Sequence, residues 1–88
     1  MRAWRLHELG DPIEQLVLDE VPDPVPEPGR VLVDVEAVGL AFPDVLQCRG
    51  EYQVKPPLPF SPGSETAGRV AAVGDGVDPA LVGRRVVA

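Results

Sequence analysis

These 88 residues contain a single cysteine, Cys48, and a single histidine, His7. Protein zinc sites draw three or four ligands mainly from Cys and His, so the usual kind cannot be built here. No clustered spacing of Asp and Glu suggests that carboxylates complete one. A lone cysteine also excludes an internal disulfide and is compatible with a reducing cytoplasm, the expected location. Basic residues are scarce: eight Lys and Arg stand against fourteen Asp and Glu, for a net charge of -6. They are scattered except for Arg84-Arg85, and this excludes nucleic acid as the main partner, because phosphate binding needs clustered cations. No apolar run approaches the length that spans a membrane. Met1-Arg2-Ala3-Trp4 carries no signal-peptide pattern. There is no internal repeat, and no Gly-x-Gly-x-x-Gly follows a strand and opens a helix. The nearest glycines, Gly74 and Gly76, sit in a strand-strand turn, so a dinucleotide-binding unit is absent from these residues.

What is present is punctuation. Eleven prolines and nine glycines, with β-branched residues between them, predict a mainly β domain of short strands. The composition, 44% hydrophobic and 25% charged, is that of an ordinary soluble domain. A chain this short has a marginal core, which predicts a partner domain or subunit. Strands are expected over residues 1–6, 16–21, 30–38 and 66–73, with another beginning at Val86. Leu9-Gly10-Asp11-Pro12 reads as a turn. Proline at positions 22, 24, 26 and 28 makes residues 21–29 an extended loop or a polyproline II segment. Within 30–38, Val31, Val33, Val35 and Ala37 fall on one face and Asp34 and Glu36 on the other. One helix is expected, from Phe42 to a stop at Gly50, with Pro43 and Asp44 in its first turn and Phe42, Val45, Leu46 and Arg49 on one face. Residues 55–62 form a second proline-rich loop, in which Pro56-Pro57-Leu58-Pro59 matches a Pro-x-x-Pro ligand only by accident. The last strand stops at Ala88 without a turn or polar tail, which reads as a truncation of residues 1–88 rather than a natural end.

Three stretches together carry a family resemblance. Met1-Arg2-Ala3-Trp4, with Pro26-Glu27-Pro28-Gly29-Arg30-Val31-Leu32-Val33 further on, looks like the start of medium-chain dehydrogenases, where a proline-glycine loop precedes a long strand. Val38-Gly39-Leu40-Ala41-Phe42-Pro43-Asp44-Val45-Leu46, with Arg49-Gly50-Glu51-Tyr52, is similar to the active-site turn of zeta-crystallin-like quinone oxidoreductases. Pro59-Phe60-Ser61-Pro62-Gly63-Ser64-Glu65-Thr66-Ala67-Gly68-Arg69-Val70 resembles the superfamily's Gly-His-Glu signature, with Ser64 in the histidine position. The resemblance covers essentially the whole chain. It implies a GroES-like, partly open barrel with one short helix, lacking the Rossmann domain that follows it in relatives. It also implies a zinc-free oxidoreductase that reduces a quinone or enone with NADP(H), bound mainly by the missing domain. The complete enzyme is expected to be a homodimer, and the 88 residues alone inactive. Two rival readings are an enoyl-thioester reductase, which shares much of the Gly-Leu-x-Phe-x-Asp-Val-Leu pattern, and a non-enzymatic co-chaperonin or adaptor domain.

Departures from the family pattern are informative. Zinc-dependent members place a cysteine where Ala41 stands, and a methyl group cannot coordinate metal. Many quinone reductases keep asparagine there. Pro43 stands where alcohol dehydrogenases keep a hydroxyl for proton relay. The resemblance places Ala41, Phe42, Asp44, Ser64 and Glu65 in the substrate or cofactor pocket, and Tyr52 as the candidate proton donor. Simpler roles stand beside these. Asp44 either orients a cofactor group or stabilises the helix N-terminus. Glu65 serves as an active-site carboxylate or, the favoured role, ties loops together. Tyr52 either donates its phenolic proton or merely packs its ring while its hydroxyl meets water. His7 reads as a surface residue and Cys48 as a small buried hydrophobe.

Overall fold

In the computed structural model, which describes residues 1–88, the chain forms two separately packed units. Residues 1–22 and 40–64 make the first, and residues 23–39 and 65–88 the second.

The first unit is built on a hairpin. Strands β1 (Arg2–Leu6) and β2 (Leu16–Glu20) pair antiparallel, from Arg2 opposite Glu20 to Leu6 opposite Leu16. The link between them is not the simple turn that Gly10 and Pro12 suggest. Residues Pro12–Gln15 form a one-turn helix, α1, so the chain has a second helix besides the expected one. Asp11 caps it: its carboxylate accepts the Ile13 N–H at 3.0 Å. Pro12 at the first helical position loses no bond by lacking its N–H. Helix α2 (Phe42–Arg49) closes at Gly50, whose φ of 73° is left-handed. The Gly50 N–H bonds the Gln47 carbonyl at 3.1 Å and the Glu51 N–H the Leu46 carbonyl at 2.9 Å. That pair of bonds satisfies carbonyls the helix would leave open. Leu6, fully buried, pairs with Phe60 through reciprocal backbone bonds of 2.8 and 3.2 Å. The proline-rich loop is thereby tied to the hairpin.

The buried residues of α2 lie off the face that carries Phe42, Val45, Leu46 and Arg49, and include Cys48 as expected. Asp44 and Cys48, one helical turn apart, are its buried residues, whereas Phe42 is 68% exposed.

The second unit is an antiparallel sheet in the order β3 (Val31–Gly39), β4 (Glu65–Val73), β5 (Arg85–Val87). Neither sheet of the chain closes on itself. The regular alternation expected along β3 is broken by register shifts between Leu32 and Val33 and between Val35 and Ala37. Val35 pairs with Gly68 and Ala37 with Ala67, so Glu36 is the extra residue of a bulge. Its carboxylate lies 3.4 Å from Arg69 Nε and 3.9 Å from Arg85 Nη2. Half-exposed pairs of this kind add little stability. Val31 is 38% and Val35 53% exposed, so a periodic sequence does not guarantee one buried face. Val70 on β4 is the buried apolar residue of this unit.

Gly68 is where the sheet is tightest. A Cβ at this buried position would lie 2.0 Å from the Asp34 backbone oxygen. Backbone on both sides cannot yield as a flexible side chain would. Gly76, by contrast, needs its positive φ of 84° but has open space around it. Gly68→Ala is therefore expected to cost roughly 3 kcal/mol or more, in the range that marks overpacking of a buried site. Gly76→Ala should cost only about 1 kcal/mol, for left-handed backbone. Chemical denaturation of the two variants checks this ordering.

Candidate functional site

The turn entering α2 lacks the side chain that such a turn usually has. Ala41 is the N-cap, with φ -137° and ψ 166°, and its methyl group cannot accept a hydrogen bond from the first helical turn. Asp44 supplies what Ala41 does not. Its Oδ2 reaches back and accepts the Ala41 N–H at 2.8 Å, while the Asp44 N–H donates to the Ala41 carbonyl at 3.0 Å. This is one arm of a capping box, the side-chain arm from the N-cap being impossible with alanine. Asp44 is only 7% exposed. A buried carboxylate is tolerable here because it accepts a backbone donor and stands in the first turn, where the helix dipole favours negative charge.

Cys48, on the next turn, is 1% exposed. Burial, and then the Asp44 carboxylate, push its thiol above the ordinary value. It stays protonated and is a weak nucleophile at neutral pH.

Ala41, Asp44 and Cys48 share one cavity of about 170 Å³. Its other walls are Pro12 and Leu16 from the hairpin, Leu40 from the turn, Val45 from α2, and Pro62. Of these wall residues Leu40 is 79% exposed. A second cavity of the same unit, about 150 Å³, lies between Leu9, Gln47, Gly50 and the loop residues Lys55, Pro56, Leu58 and Phe60. In the second unit, a groove of about 260 Å³ runs over Ala37, Ala67 and Gly68, with Glu36 and Arg85 beside it.

Of the residues singled out in the sequence, the structure brings Ala41 and Asp44 together in one wall. Phe42 points largely to solvent. Tyr52 follows the Gly50 cap, is half-buried, and borders none of the three cavities. Ser64 is exposed at the end of the first unit. Glu65 opens β4 opposite Gly39 in the second, and a Cβ on Gly39 would meet its Oε2 at 2.9 Å. Gly39 is thus the residue that makes room for the Glu65 side chain. No three His, Cys, Asp or Glu side chains converge to hold a metal ion. The wall residues Leu16, Leu40, Val45, Cys48 and Pro62 were not anticipated as site residues. For Cys48 the signal was its spacing of four from Asp44, which puts both on one helix face.

Residues 27–88 match the alcohol dehydrogenase GroES-like domain. Quinone oxidoreductase-like protein 2 of Mus musculus is 47% identical over 87 residues, covering 98% of this chain and 24% of that protein. An alcohol dehydrogenase of Moraxella is 40% identical, covering 98% of this chain and 25% of its own length. Among solved structures, a mycobacterial protein complexed with NADPH superposes with a TM-score of 0.88 at 40% identity, over 100% of this chain and 27% of the other. The chain therefore spans about a quarter of the length of the relatives it matches. No helix is long and apolar enough to cross a membrane.

The Cys48 environment gives a pH dependence. Its folded pKa is raised, so the folded state holds the thiol proton more tightly than the unfolded chain does. The stability this represents is fully present below the unfolded thiol value, about 8.5, and is lost as pH rises through the folded one. Denaturation midpoints of the protein should fall more steeply than those of Cys48→Ala as pH rises above the unfolded thiol value of about 8.5. Parallel slopes for the two proteins would contradict the assignment.

Proposed function

Because the chain belongs to the alcohol dehydrogenase GroES-like domain family, we propose that it forms the substrate-side part of a zinc-independent, NADPH-dependent quinone or enone reductase. The observation that carries this reading is the donor set at the α2 entrance. Ala41 offers a methyl group, and Ser64 stands exposed where the resembled signature has histidine. Cys48, the sole thiol, is held protonated inside an apolar wall. A metal that polarises an alcohol has no ligands to settle on here, which favours reduction of an activated acceptor over the alcohol chemistry named for some relatives. Quinone oxidoreductase names among the relatives support the same direction.

The residues present do not fit a dinucleotide. No glycine-rich turn opens a helix after a strand, and the first turn of α2 carries the Asp44 carboxylate, which repels a pyrophosphate. We assign NADPH binding to the length of the relatives that this chain does not span. The part of these 88 residues is to shape and dry the acceptor side.

Reduction of a quinone or enone builds negative charge on oxygen, which a donor must stabilise or protonate. Ala41, Phe42 and Pro43 have no exchangeable side-chain proton, and Asp44 acts as an acceptor toward Ala41. Tyr52, half-buried just past the helix cap, is the proposed donor through its phenolic Oη. Ser64 and Glu65 are proposed as flanking polar groups, and Phe42 as part of the apolar rim.

The test uses the full-length protein, dialysed against chelator, with NADPH and panels of quinones, enones and enoyl thioesters. Quinone- or enone-dependent NADPH oxidation should persist without metal. Near-stoichiometric bound zinc, or activity restored only by zinc, would sink the metal-free reading. A clear preference for enoyl thioesters would move the assignment to that class. Tyr52→Phe should lower kcat/KM on the order of 100-fold, as loss of a general acid does. An unchanged value across several acceptors eliminates Tyr52 as the donor.

A further inference from the structure

We propose that the apolar cavity beside Ala41 is a specificity subsite for a neutral, ring-sized hydrocarbon substituent of the acceptor, and that the small size of Ala41 keeps it open. The inference rests on the reading of this chain as a substrate wall.

Volume is the first argument. The cavity measures about 170 Å³. An apolar cavity of about 150 Å³ has room for a benzene ring, so this one, open on one side, has room for a substituent of that size. Carbon from Leu16, Leu40, Val45 and Pro62 makes up most of the wall, so a hydrocarbon entering it loses no hydrogen bonds and leaves none unmade.

Charge is the second. The ionisable acid in the wall is Asp44, whose Oδ2 is already engaged by the Ala41 N–H. A carboxylate offers no donor to an acceptor carbonyl and repels an anionic substituent. The cavity therefore takes a neutral group and disfavours a carboxylated or phosphorylated one. Cys48, the other polar wall residue, keeps its proton and does not add to an electrophilic ring.

The third argument is the residue choice at position 41. Asn, Asp, Ser and Thr are strongly favoured at an N-cap, and alanine is among the poorest residues there. Here the poor choice coincides with a cavity wall, and Asp44 performs the capping from the other side. A broken local rule beside an open cavity is the pattern of a position kept for function rather than for stability.

The experiment compares 1,4-benzoquinone with 1,4-naphthoquinone, which differ by one fused ring, in steady-state kinetics of the full-length protein. Ala41→Leu and Val45→Phe narrow the cavity from two different walls. Both should lower the naphthoquinone-to-benzoquinone ratio of kcat/KM at least about tenfold, the discrimination a filled apolar pocket gives. A ratio that either variant leaves unchanged overturns the proposal. Ala41→Asn guards against a folding artefact: it restores a side-chain cap, should melt no lower than the parent protein, and should still lower the ratio. A carboxylated naphthoquinone used as well as its parent overturns the requirement for a neutral group. If the parent protein shows no quinone-dependent activity, the reductase reading fails by itself. Titration with naphthalene, followed by NMR, then decides the subsite: binding that Ala41→Leu abolishes supports it, and no binding to the parent overturns it.

Discussion

The bond from the Ala41 N–H to Asp44 Oδ2, 2.8 Å long, is the contact on which the candidate site depends. It starts helix α2 at a position whose own side chain cannot cap it. It also fixes where a buried negative charge sits, and that charge adds to burial in keeping the Cys48 thiol protonated. Ala41, Asp44 and Cys48 then line one cavity, so capping, electrostatics and space are consequences of the same few atoms. Losing a cap of this kind costs about 1 kcal/mol in a helix. The larger effect here would be positional, because the wall residues Leu40 and Val45 flank the bond on either side in sequence.

The second unit obeys a different constraint, close backbone approach. Gly68 lets β4 lie against Asp34 of β3, and the bulge at Glu36 takes up the change of register beside it. Glycine at this position is a matter of sterics and not of left-handed backbone. Gly39 at the end of the same strand pair differs: what it makes room for is the Glu65 side chain, whose flexible end can shift.

Much of this was legible in the sequence, because proline, glycine and short β-branched runs leave few alternatives. All five strands lie where residue type placed them, to within a residue or two, and the stop at Gly50 follows from its left-handed turn. The misses have local causes. Asp11-Pro12 is an N-cap followed by the best first helical residue, yet only one turn of helix follows, too short for any periodicity to show. The bulges of β3 depend on its pairing with β4, and strict alternation within one strand cannot reveal them. Apolar spacing puts Phe42, Val45, Leu46 and Arg49 on one face of α2, but it does not reveal that the buried pair is Asp44 and Cys48, of which only Cys48 reads as buried from the sequence. Pocket membership was the least legible, since Leu16 and Pro62 reach the cavity wall only through the fold.

The central claim is that the α2 entrance forms a metal-free, apolar acceptor wall. Its most direct test is a crystal structure of the full-length protein with NADPH and a quinone, with anomalous data collected at the zinc edge. The account predicts electron density for the quinone against Ala41 and Tyr52, with no anomalous peak between positions 41 and 64. A zinc peak there, or a quinone bound away from the α2 entrance, would contradict it.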